Sequence, residues 1–211
     1  MGLGNLLIRC VGMTVGAQVG TRIAHRMRPR PYPGPLRELL DHPVRMRYRD
    51  PVSTLGPFGI GPGETVLDLG CGTGTFTVEM ARQVGSEGRV HAVDIQASMV
   101  DAARAKVESA GFASRVSFHH CGAYRLPLER ESVDVVVAIA SLSEMPQPLF
   151  ALEEIRRVLK AGGRLAVSEE MPHTGYALQR TVRRWLQEVG FRYGGLRGTP
   201  FCYSLLYFKD E

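Results

Sequence analysis

Residues 66–76 read VLDLGCGTGTF, an apolar run with one acid that leads directly into three glycines at alternate positions and then into a helical pattern. Glycine is needed where a backbone passes close to a ligand and adopts dihedral angles that a Cβ would forbid. Open α/β sheets bind their ligands at the carboxyl ends of strands. The stretch therefore predicts a strand, a ligand-binding turn at Gly70, Gly72 and Gly74, and a helix that begins near Thr75.

Two acids lie on either side of this turn. Asp68 is suited to bind a cationic amine or to hold the turn through its backbone amides. Asp94 ends the next β-branched run, twenty residues after Gly74, where a carboxylate can accept hydrogen bonds from both hydroxyls of a ribose. An acid at a strand end is also a common helix cap. A dinucleotide fingerprint would have glycine or alanine at Thr75, so the turn favours a nucleoside over a pyrophosphate.

Beyond residue 51 the chain alternates short β-branched runs with amphipathic segments of helix length. This alternation is typical of an α/β fold with a parallel sheet covered on both faces. Two aromatic runs at 191–193 and 203–208 follow without a helix between them and are expected to pair antiparallel. We predict strands at 65–69, 89–93, 116–120, 133–140 and 164–169, and helices at 75–84, 97–110, 149–159, stopped by Gly162 and Gly163, and 177–189.

The positive charge of the chain is concentrated at its amino-terminal end. The net charge is +5, and residues 1–49 hold nine arginines against Glu38 and Asp41, which leaves the remainder at −2. Nucleic-acid binding by the main domain is therefore disfavoured. We divide the chain into an apolar and basic helical extension and cap at 1–50 and a catalytic domain at 51–211.

Residues 3–23 are mostly apolar and would form a sided helix, with glycines at every fourth position from Gly12. The uncharged run between Arg9 and Arg22 has twelve residues, too few to span a bilayer, which takes about 20. The basic cluster that follows suits a helix lying on an anionic membrane. Packing on the chain's own domain or on a homodimer mate is the alternative.

The four cysteines are widely spaced and form neither a CxxC pair nor a Cys/His ligand cluster, so no structural metal is expected. Their spacing suggests no disulfide framework either. A reducing, cytoplasmic location is therefore expected, with membrane association as an addition to it.

Four segments in order resemble the motifs of class I S-adenosylmethionine (SAM)-dependent methyltransferases, in the branch that includes ubiquinone and menaquinone methyltransferases. The resemblance covers about 70% of the chain, and the segments are DLGCGTGT at 68–75, VDIQASM at 93–99, LPLERESVDVVVA at 126–138 and EIRRVLKAGGRLAVSE at 154–169. It implies a Rossmann-like seven-stranded sheet, mostly parallel with an antiparallel last strand and helices on both faces. It also implies SAM as cofactor and S-adenosylhomocysteine as product.

The resemblance also implies roles for particular residues. It places Asp68, Gly70, Cys71, Gly72 and Gly74 around the methionine part of SAM, with Ala140 at the neighbouring strand end. It implies that Asp94 binds the ribose and that Ile95, Gly122 and Ala123 contact the adenine. Relatives of this branch commonly have an acid where Gly122 stands, so adenine recognition is expected to rely on backbone or apolar contact.

The loop at 140–146 is where the acceptor meets the methyl group in the family. It has no Asn-Pro-Pro-Tyr or Pro-Cys motif, and Ser143-Glu144 stands where relatives often have His-Glu. A general base is needed chiefly for oxygen or carbon acceptors. The candidates are Glu144, His173 and Tyr176, with Glu169 and Glu170 nearby.

The sequence thus predicts a methyltransferase acting on a small molecule, with a lipid-like or quinone-like acceptor favoured. Two alternatives remain open at this point. A nicotinamide-dependent oxidoreductase would use a similar sheet, and a non-catalytic SAM-binding scaffold protein would bind the cofactor without transferring a methyl group.

Overall fold

A seven-stranded sheet is the central feature of the structure, a computed structural model that describes residues 30–171, 173 and 175–210 together with the isolated positions 16, 20 and 22. The strands are β1 (Thr65–Leu69), β2 (Arg89–Asp94), β3 (Val116–His120), β4 (Val133–Ile139), β5 (Leu159–Glu170), β6 (Phe191–Thr199) and β7 (Cys202–Lys209). They lie in the order β3-β2-β1-β4-β5-β7-β6.

Six α-helices of the described residues accompany this sheet. They are α1 (Pro43–Tyr48), α2 (Pro51–Leu55), α3 (Thr75–Gln83), α4 (Ala97–Ser109), α5 (Pro148–Val158) and α6 (Gln179–Glu188). Short 3₁₀ helices at Gly34–Asp41 and Leu142–Glu144 lie near the carboxyl ends of the strands. The predicted order of strands and helices is confirmed.

Side chains of the central strands alternate between two cores, because successive residues of a strand point to opposite faces of the sheet. Val66 of β1 packs with Met80 of α3 and Val107 of α4. Leu67, the next residue along, packs on the other face with Ile155 of α5 and Leu186 of α6. Helices therefore cover both faces, as the sequence predicts.

The sheet is parallel up to β5, and β7 then pairs antiparallel with both β5 and β6. The predicted antiparallel ending is confirmed. The prediction that Gly162 and Gly163 stop a helix is wrong, because α5 ends at Val158 and both glycines lie within β5. Gly162 has a φ of +70°, and the pairing of β4 with β5 shifts register there, from Val133 opposite Leu159 to Val135 opposite Arg164.

Residues 31–55, which we call the cap, pack against the rest of the chain, and Tyr32, Asp41 and Arg45 of the cap lie at the carboxyl ends of the strands. Its inner side contributes Arg49 and Leu55, both almost fully buried. Asp50 begins α2 as its helix cap, with a carboxylate oxygen that accepts from the Ser53 amide at 2.9 Å. Arg49 joins the cap to the sheet through Ser168 and Glu170 of β5.

Most of the predicted apolar helix at 3–23 lies outside the described residues, as do Arg26 and Arg28 of the basic cluster. Of that cluster the structure describes Arg22 and Arg30. Arg22 donates a hydrogen bond to the Met171 carbonyl and lies 5.4 Å from the centre of the Tyr176 ring. Among the described residues, no helix has both the length and the apolar character needed to cross a bilayer.

Candidate active site

A cavity of about 290 Å³ opens at the carboxyl ends of β1, β2 and β4, where an open α/β sheet is expected to bind a ligand. Most of the site residues predicted from the sequence line it. They are Asp68, Gly70, Cys71, Gly72, Asp94, Ile95, Gly122, Ala123, Ala140, Glu144 and His173. Gly74 and Tyr176 are absent from this lining.

Gly70 lets the loop after β4 approach the glycine turn. Its φ is +80°, and a Cβ built on it would lie 2.5 Å from the Cβ of Ser141. Ser141 is fixed there because its hydroxyl donates to the Leu69 carbonyl at 2.6 Å. Any side chain at Gly70 would push the two walls of the cavity apart.

Gly74 has a different neighbour, although its φ is similar at +83°. A Cβ on Gly74 would lie 2.7 Å from the Cα of Ala103 in α4. The residue thus permits close packing of the start of α3 on α4. Gly70 and Gly74 thus permit close approaches within the protein, and their contact with a ligand stays a prediction.

The carboxylate of Asp94 holds the glycine turn by accepting hydrogen bonds from backbone amides. One carboxylate oxygen accepts from the Gly72 amide at 3.0 Å and the other from the Gln96 amide at 2.9 Å, just before α4. Burial raises the pKa of Asp94 above its usual value, and these amide bonds oppose the rise. Each oxygen keeps a further lone pair for a ligand. Ile95 beside it is more than half exposed and offers an apolar surface.

Asp68 is a fully buried acid at the floor of the cavity. Its carboxylate accepts a hydrogen bond from the Thr77 hydroxyl at 2.6 Å. Burial raises the pKa of Asp68 to about 7, with a smaller contribution from the charge of Asp94. A cationic ligand placed beside Asp68 would favour its ionised form.

The other half of the cavity holds a carboxylate and an imidazole. Glu144 contacts His173 Nε2 through one oxygen at 2.9 Å and accepts from the Tyr32 amide through the other at 3.2 Å. Burial alone would lower the pKa of His173, but the hydrogen bond and charge of Glu144 raise it. The Tyr32 ring stacks on the imidazole with 5.7 Å between ring centres. The two predicted base candidates therefore form one hydrogen-bonded pair facing the cavity.

Tyr176, the third base candidate, lies behind this pair. Its hydroxyl donates to the Pro200 carbonyl, and its ring meets Tyr203 edge to face at 6.0 Å. Burial raises its pKa above that of an ordinary tyrosine. Tyr176 is thus packed against Pro200 and Tyr203, next to the start of β7, and is not part of the cavity lining.

Comparison with known proteins identifies the family. A family model described as a methyltransferase domain matches residues 60–192, well over half of the chain. The chain belongs to this methyltransferase family.

Curated relatives of this methyltransferase agree with the predicted branch. It is 37% identical over 121 residues to the ubiquinone/menaquinone biosynthesis C-methyltransferase UbiE of Cellvibrio japonicus, covering 57% of this chain and 49% of that protein. It is 34% identical over 140 residues to the biotin biosynthesis bifunctional protein BioHC of Teredinibacter turnerae, covering 63% of this chain and 25% of that protein. The chain thus spans about half, or less, of the length of these relatives.

A solved structure extends the likeness to the fold as a whole. The crystal structure of a SAM-dependent methyltransferase from Aquifex aeolicus matches with a TM-score of 0.78 and 28% identity over 84% of this chain and 98% of that one. A geranyl diphosphate C-methyltransferase from Streptomyces coelicolor matches at a TM-score of 0.66 and 17% identity, covering 80% of each chain, which speaks for the fold alone. The predicted Rossmann-like fold, enzyme class and SAM cofactor are confirmed at the level of the family.

The cavity of the methyltransferase fits SAM chemically. Asp68 and Asp94 offer carboxylates for a cationic amine and for ribose hydroxyls, and Ile95 and Met99 offer apolar surface for a purine. Gly122 stands at the predicted adenine subsite, and a Cβ built on it would meet Ile95 Cδ1 at an ordinary 3.8 Å. The absence of a side chain at Gly122 is therefore not forced by packing.

Sequence reasoning missed the contribution of the cap to this cavity. Pro31, Tyr32, Leu40, Asp41 and Arg45 all line it. The missed neighbours of the glycine turn are Thr73 and Thr75, whose hydroxyls both donate to Asp41. Asp41 has prolines and arginines near it in the sequence, but no local pattern marks it as part of a site. Its described partners are 32 residues or more away along the chain.

Proposed function

We propose that this methyltransferase transfers the methyl group of SAM to a small, largely apolar acceptor, and that the accepting atom is a carbon that carries a removable proton. The observation that carries the proposal is the joining of two half-sites in one cavity. Asp68 and Asp94 lie on one side, and the Glu144–His173 pair lies on the other. The name of the relative UbiE, a quinone-biosynthesis C-methyltransferase, supports a quinone-like or lipid-like acceptor.

SAM supplies a methyl group on a positively charged sulfur, which is a good leaving group. The contribution of the protein is therefore mainly to align the acceptor, and positioning alone can supply about 7–11 kcal/mol. Met145 and Pro146 give the acceptor half an apolar wall. Glu144 accepts the proton that the acceptor loses, and His173 and the Tyr32 amide fix the direction of its carboxylate.

Isotopically labelled SAM tests this proposal. Extracts of small metabolites and lipids are incubated with the protein, and labelled products are identified by mass spectrometry. We expect label in a lipid-soluble compound, and we expect Glu144→Gln to lower the rate by about 10²-fold or more, as loss of a general base does. Glu153→Gln, an exposed glutamate on α5, is the matched control and should leave the rate unchanged.

Binding is measured in parallel to separate transfer from cofactor recognition. Asp94→Ala is expected to weaken S-adenosylhomocysteine binding by calorimetry at least tenfold, because two hydroxyl partners and the Gly72 amide bond are lost together. Tight binding of SAM with no labelled product in any extract would favour the non-catalytic scaffold. Thermal stabilisation by NADH and none by SAM would favour the oxidoreductase.

We further propose that the amino-terminal part of the chain attaches this cytoplasmic enzyme to the surface of an anionic membrane. Residues 1–49 carry a net charge of +7, and the outer side of the cap exposes Leu36, Leu39 and Val44. Apolar surface beside basic residues favours the interface of an anionic bilayer. A lipid-soluble acceptor would then reach the cavity from the bilayer beneath the cap.

Vesicle cosedimentation tests the attachment. The full chain should sediment with phosphatidylglycerol vesicles and remain in solution with phosphatidylcholine vesicles. The triple change of Arg26, Arg28 and Arg30 to Gln should release it, whereas the same change at the exposed Arg125, Arg130 and Arg156 should not. Equal sedimentation with both lipids would contradict an electrostatic attachment, and a dimer by light scattering with no lipid binding would favour the homodimer instead.

A further inference from the structure

A group of charged side chains, Glu170, Arg45 and Arg49, adjoins the Glu144–His173 pair, and Arg45 also lines the cavity. Glu170 is 3% exposed and meets two arginines, Arg45 at 2.8 Å and Arg49 at 3.3 Å. Arg49 is itself 2% exposed, and its remaining described bond goes to the Ser168 hydroxyl at 2.6 Å. Burial alone would raise the pKa of Glu170, but the two guanidinium charges hold it below its usual range. Both arginines therefore stabilise the ionised form of Glu170.

Hydrogen-bond donors also contact both carboxylate oxygens of Glu144. His173 Nε2 lies against one of its oxygens, and the Tyr32 amide donates to the other. The second ring nitrogen, His173 Nδ1, accepts from the Gly175 amide at 3.3 Å. An imidazole that accepts at Nδ1 and donates at Nε2 is neutral, because an imidazolium has no acceptor. Glu144 thus has two donors, and its hydrogen bond and charge raise the pKa of His173.

Glu169 differs from both of these acids. Its side chain is fully buried, and one of its oxygens, Oε2, accepts from the Ser143 hydroxyl at 2.8 Å. The other oxygen, Oε1, is buried and has no hydrogen-bond partner among the described residues. The charged or titratable groups that act on it are Arg49, His173, Tyr176 and Tyr203. Arg49 keeps one buried nitrogen, Nη2, without a partner among the described residues, but no described cation donates to Glu169. An ionised Glu169 would therefore be a buried charge without a hydrogen-bonded cation, which is costly.

We propose that Glu169 is a protonated, neutral acid in the resting enzyme and serves as a positioning residue for Glu144. Through Ser143 it fixes the short 3₁₀ helix Leu142–Glu144 that presents the Glu144 carboxylate to the cavity. When Glu169 ionises, it draws on His173 and so competes with Glu144 for that donor. Deprotonation of Glu169 therefore loosens the base.

The charge balance of the group agrees with this assignment. Three glutamates face two arginines, so one further proton, on Glu169 or on His173, makes the buried group neutral, and the amide contact at His173 Nδ1 places that proton on Glu169. Burial raises the pKa of Glu169 to about 7, and the Ser143 hydrogen bond opposes that rise, as a protonated His173 would. The proton is therefore held in acidic solution, about half lost near pH 7 and fully lost in alkaline solution. The effect on turnover rests on the proposed function, but the protonation of Glu169 does not.

Infrared difference spectroscopy tests the protonation without an acceptor. A buried carboxylic acid gives a carbonyl band that vanishes on ionisation, so the free protein should lose such a band between about pH 6 and about pH 9. Glu169→Gln should remove it, and exposed Glu153→Gln should not. The variant Asp68→Asn shows how much of the carbonyl band comes from Asp68, whose pKa is also about 7. Ser143→Ala removes a bond that favours ionisation, so its Glu169 band should persist to higher pH.

The pH profile of methyl transfer tests the positioning role. The wild-type rate should fall above about pH 7, by on the order of tenfold per pH unit, as Glu169 ionises. Glu169→Gln cannot ionise and should keep its rate in that range, whereas a merely structural residue would change the rate without changing the shape of the profile. The proposal is overturned if the Glu169 band is absent at pH 6 or if Glu169→Gln keeps the alkaline fall. If the protein transfers no methyl group, the spectroscopic result still decides the state of Glu169.

Discussion

Single residues of the cavity divide its chemistry between recognition and proton transfer. Asp68 and Asp94 lie in adjacent strands, yet among the described residues only Asp94 receives backbone amides, and Asp68 accepts from one hydroxyl. A carboxylate with two amide donors is pre-oriented for hydroxyl ligands, whereas a buried acid with few donors responds most to an incoming cation. The same contrast separates Glu144 from Glu169 on the acceptor side.

Gly122→Asp is the residue-scale prediction for cofactor affinity. The cavity side of Gly122 has room for a Cβ, with Ile95 at 3.8 Å, and an added carboxylate can accept from an exocyclic amine of a purine. One such bond contributes about 1 kcal/mol, so S-adenosylhomocysteine should bind roughly fivefold more tightly by calorimetry. The inosine analogue, which lacks the amine, is the control ligand and should gain nothing. Equal gains for both ligands would place the adenine amine elsewhere.

At the scale of elements, the cap closes the glycine turn from above. Asp41 accepts from the hydroxyls of Thr73 and Thr75 and from Lys106 of α4, so one side chain joins the cap to the turn and to the helix after β2. Burial alone would raise the pKa of Asp41, but the bonds from Lys106 and Thr75 hold it below its usual range. Gln96 adds a second tie by donating to the Tyr32 carbonyl at 2.9 Å.

We predict that Asp41→Ala loosens the cap and weakens cofactor binding. Loss of three donors to one acid should raise hydrogen exchange in residues 31–45 and weaken S-adenosylhomocysteine binding several-fold, with faster dissociation. The matched control is Asp50→Ala, which removes a helix cap in the same part of the chain but no residue that lines the cavity. The same loss of affinity in both variants would mean that the effect comes from general destabilisation of the cap.

The elements that the sequence predicts well are those marked by local patterns. β1 and the turn at 70–74 are visible because apolar alternation and glycine spacing are local, and the strand bounds at 65–69 and 116–120 agree with the structure. The cap contacts were missed because Asp41 and Arg45 find their partners 32 to 125 residues away. The glycines at 162–163 were misread because a bulge within a strand and a helix stop use the same residue.

On the scale of the whole molecule, the buried acids make stability depend on pH in two directions. Asp41 and Glu170 have lowered pKa values, so their contribution to stability is lost as the pH falls through the acidic range. Asp68 and Glu169 have pKa values raised to about 7, so their contribution is greatest below the unfolded values near 4 and declines as the pH rises to 7. Maximum stability should therefore lie in mildly acidic solution, at about pH 5.

Urea unfolding of Asp68→Asn and Glu169→Gln measures this decline. Each raised pKa corresponds to an ionisation penalty on the order of 3 kcal/mol in the folded state at alkaline pH. Neither amide can ionise, so each variant should resemble the wild type near pH 5 in its free energy of unfolding and exceed it near pH 8. Adding saturating SAM should reduce the advantage of Asp68→Asn alone, because a cationic ligand beside Asp68 stabilises its ionised form. Wild-type stability that stays level from about pH 5 to about pH 8 would show that both acids are ionised throughout, and the neutral state of Glu169 would then have no thermodynamic basis.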